Sequence, residues 1–385
     1  MLGAGDAAIA PPVKHPVPVK AILSLLLAAL VALAACAPAA PPPEAALPVE
    51  AETPAITVTD ALGRSVSWDK PPQRMVIAGR ANFMLSHAIY AFPEAPARVV
   101  ALTQAQQTTV PFLSLLDPAF EAKTRFTTDS TAEEIAGANP DVVFLKRMMR
   151  DSIGNSLETL GIPVVYLDLE TPEQYERELQ LLGDLFGDPG RAETVWRFYA
   201  TRLARIEEGL ADLQALPSAL VLQYNPRGGA VGFEVPPDTW MQTRMVTLTG
   251  GDPVWVGAGQ SGWTTVNLEQ IAAWNPERVF IISYFETVDQ AVARLLEDPS
   301  WQGLRAVQQG QVFGFPKDFY SWDQPDARWI LGVTWMATRM HPERFGEIVL
   351  QNELNAFYET LYGLDSTTIE AQVLPLLEGD LSSLD

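Results

Sequence analysis

One cysteine, three histidines and 26 basic residues against 47 acidic ones are what this 385-residue chain has least of. A single thiol allows no internal disulfide and no thiolate metal site, so stability must come from packing. Only His87 and His341 lie beyond the N-terminal segment. Two histidines without thiols do not build the clustered sites of a zinc-binding protein. A net charge of −21 argues against nucleic acid, and against docking on anionic lipid through a basic patch. No GxGxxG or P-loop follows a strand, so no nucleotide cofactor is indicated. Gly259-Gln260-Ser261-Gly262-Trp263 lacks the spacing of a nucleophile elbow, and no catalytic residue is assigned. Ala21–Ala32 is apolar but falls short of the ~20 residues that span a bilayer.

What is present begins with that apolar run. Lys14, His15 and Lys20 precede it and small residues follow, which is the anatomy of a secretory signal peptide. The run closes on Leu33-Ala34-Ala35-Cys36, and this ending resembles the lipobox of bacterial lipoproteins. The resemblance implies cleavage before Cys36 and acylation of its thiol, giving an extracytoplasmic protein anchored to a bacterial membrane. Ala37 to Pro54 holds six prolines and no aromatic residue. It reads as a polyproline-like tether reaching at most ~55 Å at ~3.1 Å per residue.

The folded part opens with a hairpin pattern, Ile56–Thr59 and Ser65–Trp68 around Gly63. Apolar strands then alternate with amphipathic helices: Arg74–Gly79, Val99–Leu102, Val142–Leu145, Val164–Leu167 and, later, Ala219–Tyr224. Such alternation predicts mainly parallel sheets covered by helices. Glu133–Leu145 matches Glu269–Ile281 at a constant offset of 136, with seven identities in thirteen positions. Each copy is a helix stopped at Asn-Pro and followed by a buried strand. A period this long is no solenoid; it predicts two lobes on similar plans. Between the copies Pro172–Phe186 reads as one helix. Asp188-Pro189 caps a second, running to about Leu213 and, at ~37 Å, long enough to cross between lobes.

Four stretches carry a wider resemblance: ITVTDALGRSVSWDKPPQRMVIAG, EEIAGANPDVVFL, LEQIAAWNPERVFII and SWDQPDARWILGVTWMATRMHPERF. Over roughly Ile56 to Tyr362 the chain resembles the periplasmic substrate-binding proteins of ABC importers for iron-siderophores, haem and cobalamin. The resemblance implies an α/β fold of two Rossmann-like lobes joined by a single long interlobe helix, with a ligand cleft between them and limited hinge motion. It implies a receptor without catalysis or cofactor that passes a metal chelate to the permease subunits of an ABC transporter. A molybdate or tungstate receptor of the same fold is the alternative, and a secreted two-lobed hydrolase a more distant one. The expected organisation is a signal segment over 1–35, a tether over 36–54 and a first lobe over 55–171. A helical linker over 172–216 and a second lobe with helical extension over 217–385 complete it.

Ligands in parallel α/β sheets sit beyond the carboxyl ends of strands. Those positions give Arg80, Asn82, Gln104 and Arg147 in the first lobe, and Tyr224, Arg227, Tyr284, Trp322 and Asp323 in the second. Trp263 joins them from a glycine-rich loop. Arginine offers planar, bidentate donors to carboxylates and oxyanions. Aromatic faces cover a large flat ligand. Each has a plainer reading too: an arginine paired with a carboxylate, Trp322 as a wedge, Asp323 as a helix cap, His87 as a core residue.

Overall fold

The computed structural model describes residues 56–104, 111–226, 232–258 and 261–381. Cys36, the segments flanking it and Arg227 lie outside these residues. Among the described residues no helix is long and apolar enough to cross a membrane.

The antiparallel pair β1 (Ile56–Thr59) and β2 (Ser65–Trp68) comes first, with Ile56 opposite Trp68. Asp60 holds the turn by accepting from the backbone N–H groups of Leu62 and Arg64 at 2.9 and 3.1 Å. Gly63 takes φ 74°, where a Cβ would be strained. Arg64 pairs with Asp60 and Glu158 at 2.6 and 2.5 Å and lies over the Tyr166 ring, so the hairpin is pinned to the first lobe.

That lobe is built on β3 (Met75–Ile77), β4 (Val99–Thr103), β5 (Thr124–Phe126), β6 (Val142–Lys146) and β7 (Val164–Leu167). Their order is β5-β4-β3-β6-β7, and every pair is parallel. β3, β6 and β7 are buried along their whole length, which is why they read as unbroken apolar runs.

The second lobe holds β8 (Ser218–Asn225), β9 (Gly232–Val235), β10 (Asp252–Pro253), β11 (Thr264–Val266), β12 (Arg278–Ile282) and β13 (Val312–Gly314). The sheet runs β11-β9-β8-β12-β13, with β10 beside the start of β8. β8, β12 and β13 are parallel, but β9 is antiparallel to β8, and β11 to β9. The departure from parallel pairing has a simple cause. Only residues 226–231 join β8 to β9, and a parallel crossover needs about a dozen or more.

The internal repeat is physical. Thr131 with Glu134 and Asn267 with Gln270 form capping boxes at the starts of helices Ala132–Ala136 and Leu268–Trp274. Asn139 and Asn275 both turn left-handed, at φ 52° and 40°, before their prolines. β6 and β12 then begin and end at equivalent residues.

Helix Pro172–Phe186 is capped by Thr171 and stopped by Gly187 at φ 77°. Helix Pro189–Leu210 starts where Asp188 accepts from the Arg191 N–H at 2.9 Å. Its 22 residues span ~33 Å, ending before the expected Leu213. Arg191 donates to the Ala91 carbonyl in the first lobe at 2.6 Å. Farther along, the Tyr199 hydroxyl donates to the Ala327 carbonyl at 2.6 Å, and Arg202 and Arg205 pair with Glu353 at 2.7 and 2.8 Å. This is the helix that joins the lobes.

A buried charge cluster fixes them a second time. Arg328, fully buried, pairs with Asp318 at 2.5 Å and Asp326 at 3.0 Å. Asp326 also meets Nδ1 of His87, from helix Asn82–Ile89 of the first lobe, at 2.9 Å. The Tyr358 hydroxyl and the Trp322 indole N–H both donate to Asp318, at 2.7 and 3.1 Å. Burial lowers the His87 pKa despite its bond to Asp326, and Arg328 lowers it further, so the ring is neutral. His87 is thus a satisfied core residue.

Candidate functional site

The carboxyl ends of β3 and β6 build one wall. After β3 the chain turns at Gly79, φ 81°, where a Cβ would come within 3.2 Å of Met149. Arg80 emerges exposed beyond that turn. After β6, Lys146 turns inward, giving its ammonium to the Asp168 carbonyl and to Glu170 at 2.5 Å. Arg147, Met148 and Arg150 point outward, while Met149 packs inside. Arg147 reaches Asp168 only at 3.4 Å. Among the described residues neither Arg80 nor Arg150 has a carboxylate within ion-pair distance. On so acidic a chain, free guanidinium groups at two adjacent strand ends stand out.

The facing wall comes from the second lobe. Trp240, half-buried, precedes helix Met241–Leu248. Its ring meets Trp263 edge-on at 5.7 Å, and Trp263 meets Tyr284 at 6.2 Å. The Tyr284 hydroxyl donates to Oδ2 of Asp323 at 2.5 Å, and the Gln242 amide donates to the same oxygen at 2.9 Å. Burial pushes the Asp323 carboxyl up from its ordinary range, with these donors opposing the rise. Asp323 is therefore the anchor beneath an aromatic row.

Arg147, Met148 and Arg150 share a cavity of about 650 Å³ with Thr239 and Trp240 of the second lobe. Arg80 and Met148 line an adjoining cavity of about 570 Å³ with Thr128–Glu133. Across the larger cavity Arg147 and Arg150 face Trp240, with Asp151, Asp168 and Glu170 also on its lining, in a space large enough for an organic chelate. Among the described residues no cluster of three or more His, Cys, Asp or Glu could hold a bare metal ion.

The other positions singled out by sequence lie elsewhere. Asn82 is buried and gives its amide to the Thr103 carbonyl; with Gln104 it lines a separate cavity of about 280 Å³. Tyr224 is buried and meets the Phe233 ring edge-on at 6.3 Å. Trp322 is 1% exposed and spends its N–H on Asp318, the wedge alternative. Trp240, Arg150, Met148 and Gln242 were missed. Arg150 and Met148 follow β6 within four residues, so a wider window after each strand would have caught them. Trp240 and Gln242 sit at a helix start, outside that rule.

Two lobes joined by one long helix, with a cavity shared between them, are the architecture of a solute receptor. Residues 105–319 match the family model described as periplasmic binding protein, and the chain belongs to that family. It is 22% identical over 251 residues to the molybdate-binding protein MolA of Haemophilus influenzae, covering 60% of this chain and 69% of the relative. To the Fe(3+) dicitrate-binding periplasmic protein FecB of Escherichia coli it is 25% identical over 270 residues, covering 67% and 81%. A crystallised periplasmic solute binding protein from Veillonella parvula superposes with a TM-score of 0.67 at 24% identity, over 82% of this chain and 96% of that one. The family consists of extracytoplasmic solute-binding components of ABC transporters rather than enzymes.

Proposed function

We propose that this protein is a lipid-anchored receptor that captures an anionic metal chelate between its lobes and hands it to an ABC permease. Iron-siderophores, ferric carboxylates, haem and cobalamin are the ligand class. The supporting observation is the placement of Arg147 and Arg150 opposite Trp240, the near end of the row Trp240, Trp263 and Tyr284, in a cavity of about 650 Å³. Arg80, Arg147 and Arg150 take the anionic groups, and the rings cover an apolar face. Arg227, two residues after β8 in sequence, lies outside the described residues. Cys36 supplies the anchor and the proline-rich segment the spacer. A tetraoxo anion fills only a small part of such a space, which favours the chelate.

A molybdate or tungstate receptor is the second reading. The relative named for molybdate supports it, as do the unpaired Arg80 and Arg150. Tryptophan-quenching titrations with ferric dicitrate, ferric siderophores, haemin, cobalamin, molybdate and tungstate separate the two. Saturable binding of a chelate, weakened by Trp263→Ala, supports the first. Binding of only the tetraoxo anions, indifferent to Trp263→Ala, replaces it. The anchor is tested by Cys36→Ser, which lacks the nucleophilic thiolate. A variant still processed and membrane-bound as before would remove the lipid anchor.

A further inference from the structure

The described chain holds eight methionines, and seven of them are wholly or partly buried. Met148 is 68% exposed. It lies between Arg147 and Arg150 and lines both cavities at the first wall, so it stands at the place where they meet. Its neighbour Met149 shows what a methionine does there when it serves packing: it turns in, 7% exposed, against Gly79. The repeat adds a second observation. At the offset of 136, Met148 falls on Tyr284, the aromatic residue that follows β12 in the opposite wall. Equivalent positions at the two strand ends therefore carry large side chains, Met148 on one and Tyr284 on the other. Thioethers are polarisable and adapt to flat or irregular apolar surfaces.

We propose that Met148 is the first wall's contact on the apolar face of the ligand and also the oxidisable side chain of the cleft, open to hydroperoxides when the cleft is empty and covered when it is full. This rests on reading the cleft as the ligand site. In the oxidation, the sulfur lone pair attacks one peroxide oxygen. The S–O bond forms as the O–O bond breaks, and the departing hydroxide takes the proton of the newly sulfur-bound oxygen and leaves as water. Sulfur is oxidised by two electrons to the sulfoxide and the peroxide is reduced. Arg150, on the lining of the same cavity and without an ion-pair partner among the described residues, favours the negative charge that develops on the leaving oxygen. The product is a polar, stiffer side chain where an apolar one is needed, so an oxidised receptor binds a chelate more weakly.

The test uses the purified protein, dilute hydrogen peroxide and peptide mass mapping over time, without and with saturating ferric dicitrate. Met148 sulfoxide should form about tenfold or more faster than Met149 sulfoxide in the empty protein, following exposure. Ferric dicitrate should slow Met148 oxidation by a similar factor and leave the buried methionines unchanged. In titrations peroxide treatment should lower the affinity of wild type, while Met148→Leu should keep after peroxide whatever affinity it had before. Met148→Gln, a mimic of the polar product, should weaken binding about 3- to 10-fold. Ferric dicitrate that binds while Met148 oxidises at an undiminished rate overturns the contact. Equal rates at Met148 and Met149 overturn the oxidation site. Should none of the chelates or oxyanions quench tryptophan fluorescence, the reading of the cleft fails and the contact fails with it. The relative rates at Met148 and Met149 still decide the oxidation site in that case.

Discussion

The two copies of the helix–Asn-Pro–strand joint share a scaffold and part company at its tip. Both begin with a capping box, both turn left-handed at asparagine, and both end in five-residue strands that lie next to an edge strand of their sheet. Beyond β6 the chain continues Arg147-Met148-Met149-Arg150; beyond β12 it continues Ser283-Tyr284-Phe285-Glu286. One tip became cationic and the other aromatic. Backbone rules that position a strand end are separate from the side chains it delivers, so a repeated frame makes two unlike walls.

The contrast matters only if the lobes are held in register, and Arg328 is where that can be broken. Arg328→Met would leave Asp318 and Asp326 charged in the interior without their partner. A loss of about 3–5 kcal/mol is expected, read as a large fall in the urea midpoint. A midpoint within error of wild type would show the cluster to be dispensable.

The walls themselves are separated by binding. Arg80→Ala and Arg150→Ala should each remove a charge-assisted bond of ~1.5–3 kcal/mol, roughly 10- to 150-fold in affinity for any anionic ligand. Their melting temperatures should barely move, because exposed arginines contribute little to stability. If both variants keep wild-type affinity, the cationic wall is not one.

Acid probes the junction more gently. His87 is held neutral in the fold by burial and by Arg328, facing Asp326 and the Tyr320 ring. In the unfolded chain its pKa returns to about 6.5. Below that the unfolded state binds a proton that the folded state refuses. The stability present above pH ~6.5 therefore drains away as pH falls toward the lowered value. Asp326, itself lowered, adds its loss only below its ordinary 3.8. Urea midpoints should decline between pH 7.5 and 5.5, and His87→Gln should flatten that slope. An unchanged slope would locate the acid sensitivity elsewhere.

The finest comparison is between the two asparagines. Asn139→Ala and Asn275→Ala both place an alanine in the left-handed region, at about 1 kcal/mol each. Asn275 also accepts the Arg305 N–H at 3.1 Å, so its replacement should cost about 1 kcal/mol more. Equal losses would mean that this extra bond contributes nothing.

These joints were legible in the sequence because they obey local rules. Capping boxes, Asn-Pro stops and apolar runs led to β7, β12 and helix Pro172–Phe186 within a residue or two. The short strands β5, β9 and β13 carry too few residues for a periodic signal. The candidate site was legible as strand ends but not as directions. Trp322 turns inward because buried Asp318 needs donors, and Lys146 because Asp168 and Glu170 wait inside. Such partners lie far away along the chain or across a turn, and no spacing rule reports them. Trp240 reaches the cleft from a helix start in the other lobe, through packing alone.

The local arginines sit within a strongly acidic protein, and this shapes the kinetics of capture. An anion approaching from a distance meets the field of a net charge of −21 and is slowed. Within the last ~8 Å, about one Debye length at physiological ionic strength, Arg80 and Arg150, which have no ion-pair partner among the described residues, act on the anion at short range. Added salt screens the far repulsion before it weakens the near attraction. Association should therefore quicken between roughly 10 and 150 mM salt, the reverse of ordinary electrostatic steering. Stopped-flow traces at those two salt concentrations would show the receptor selecting its anion at short range, with its overall charge holding others off.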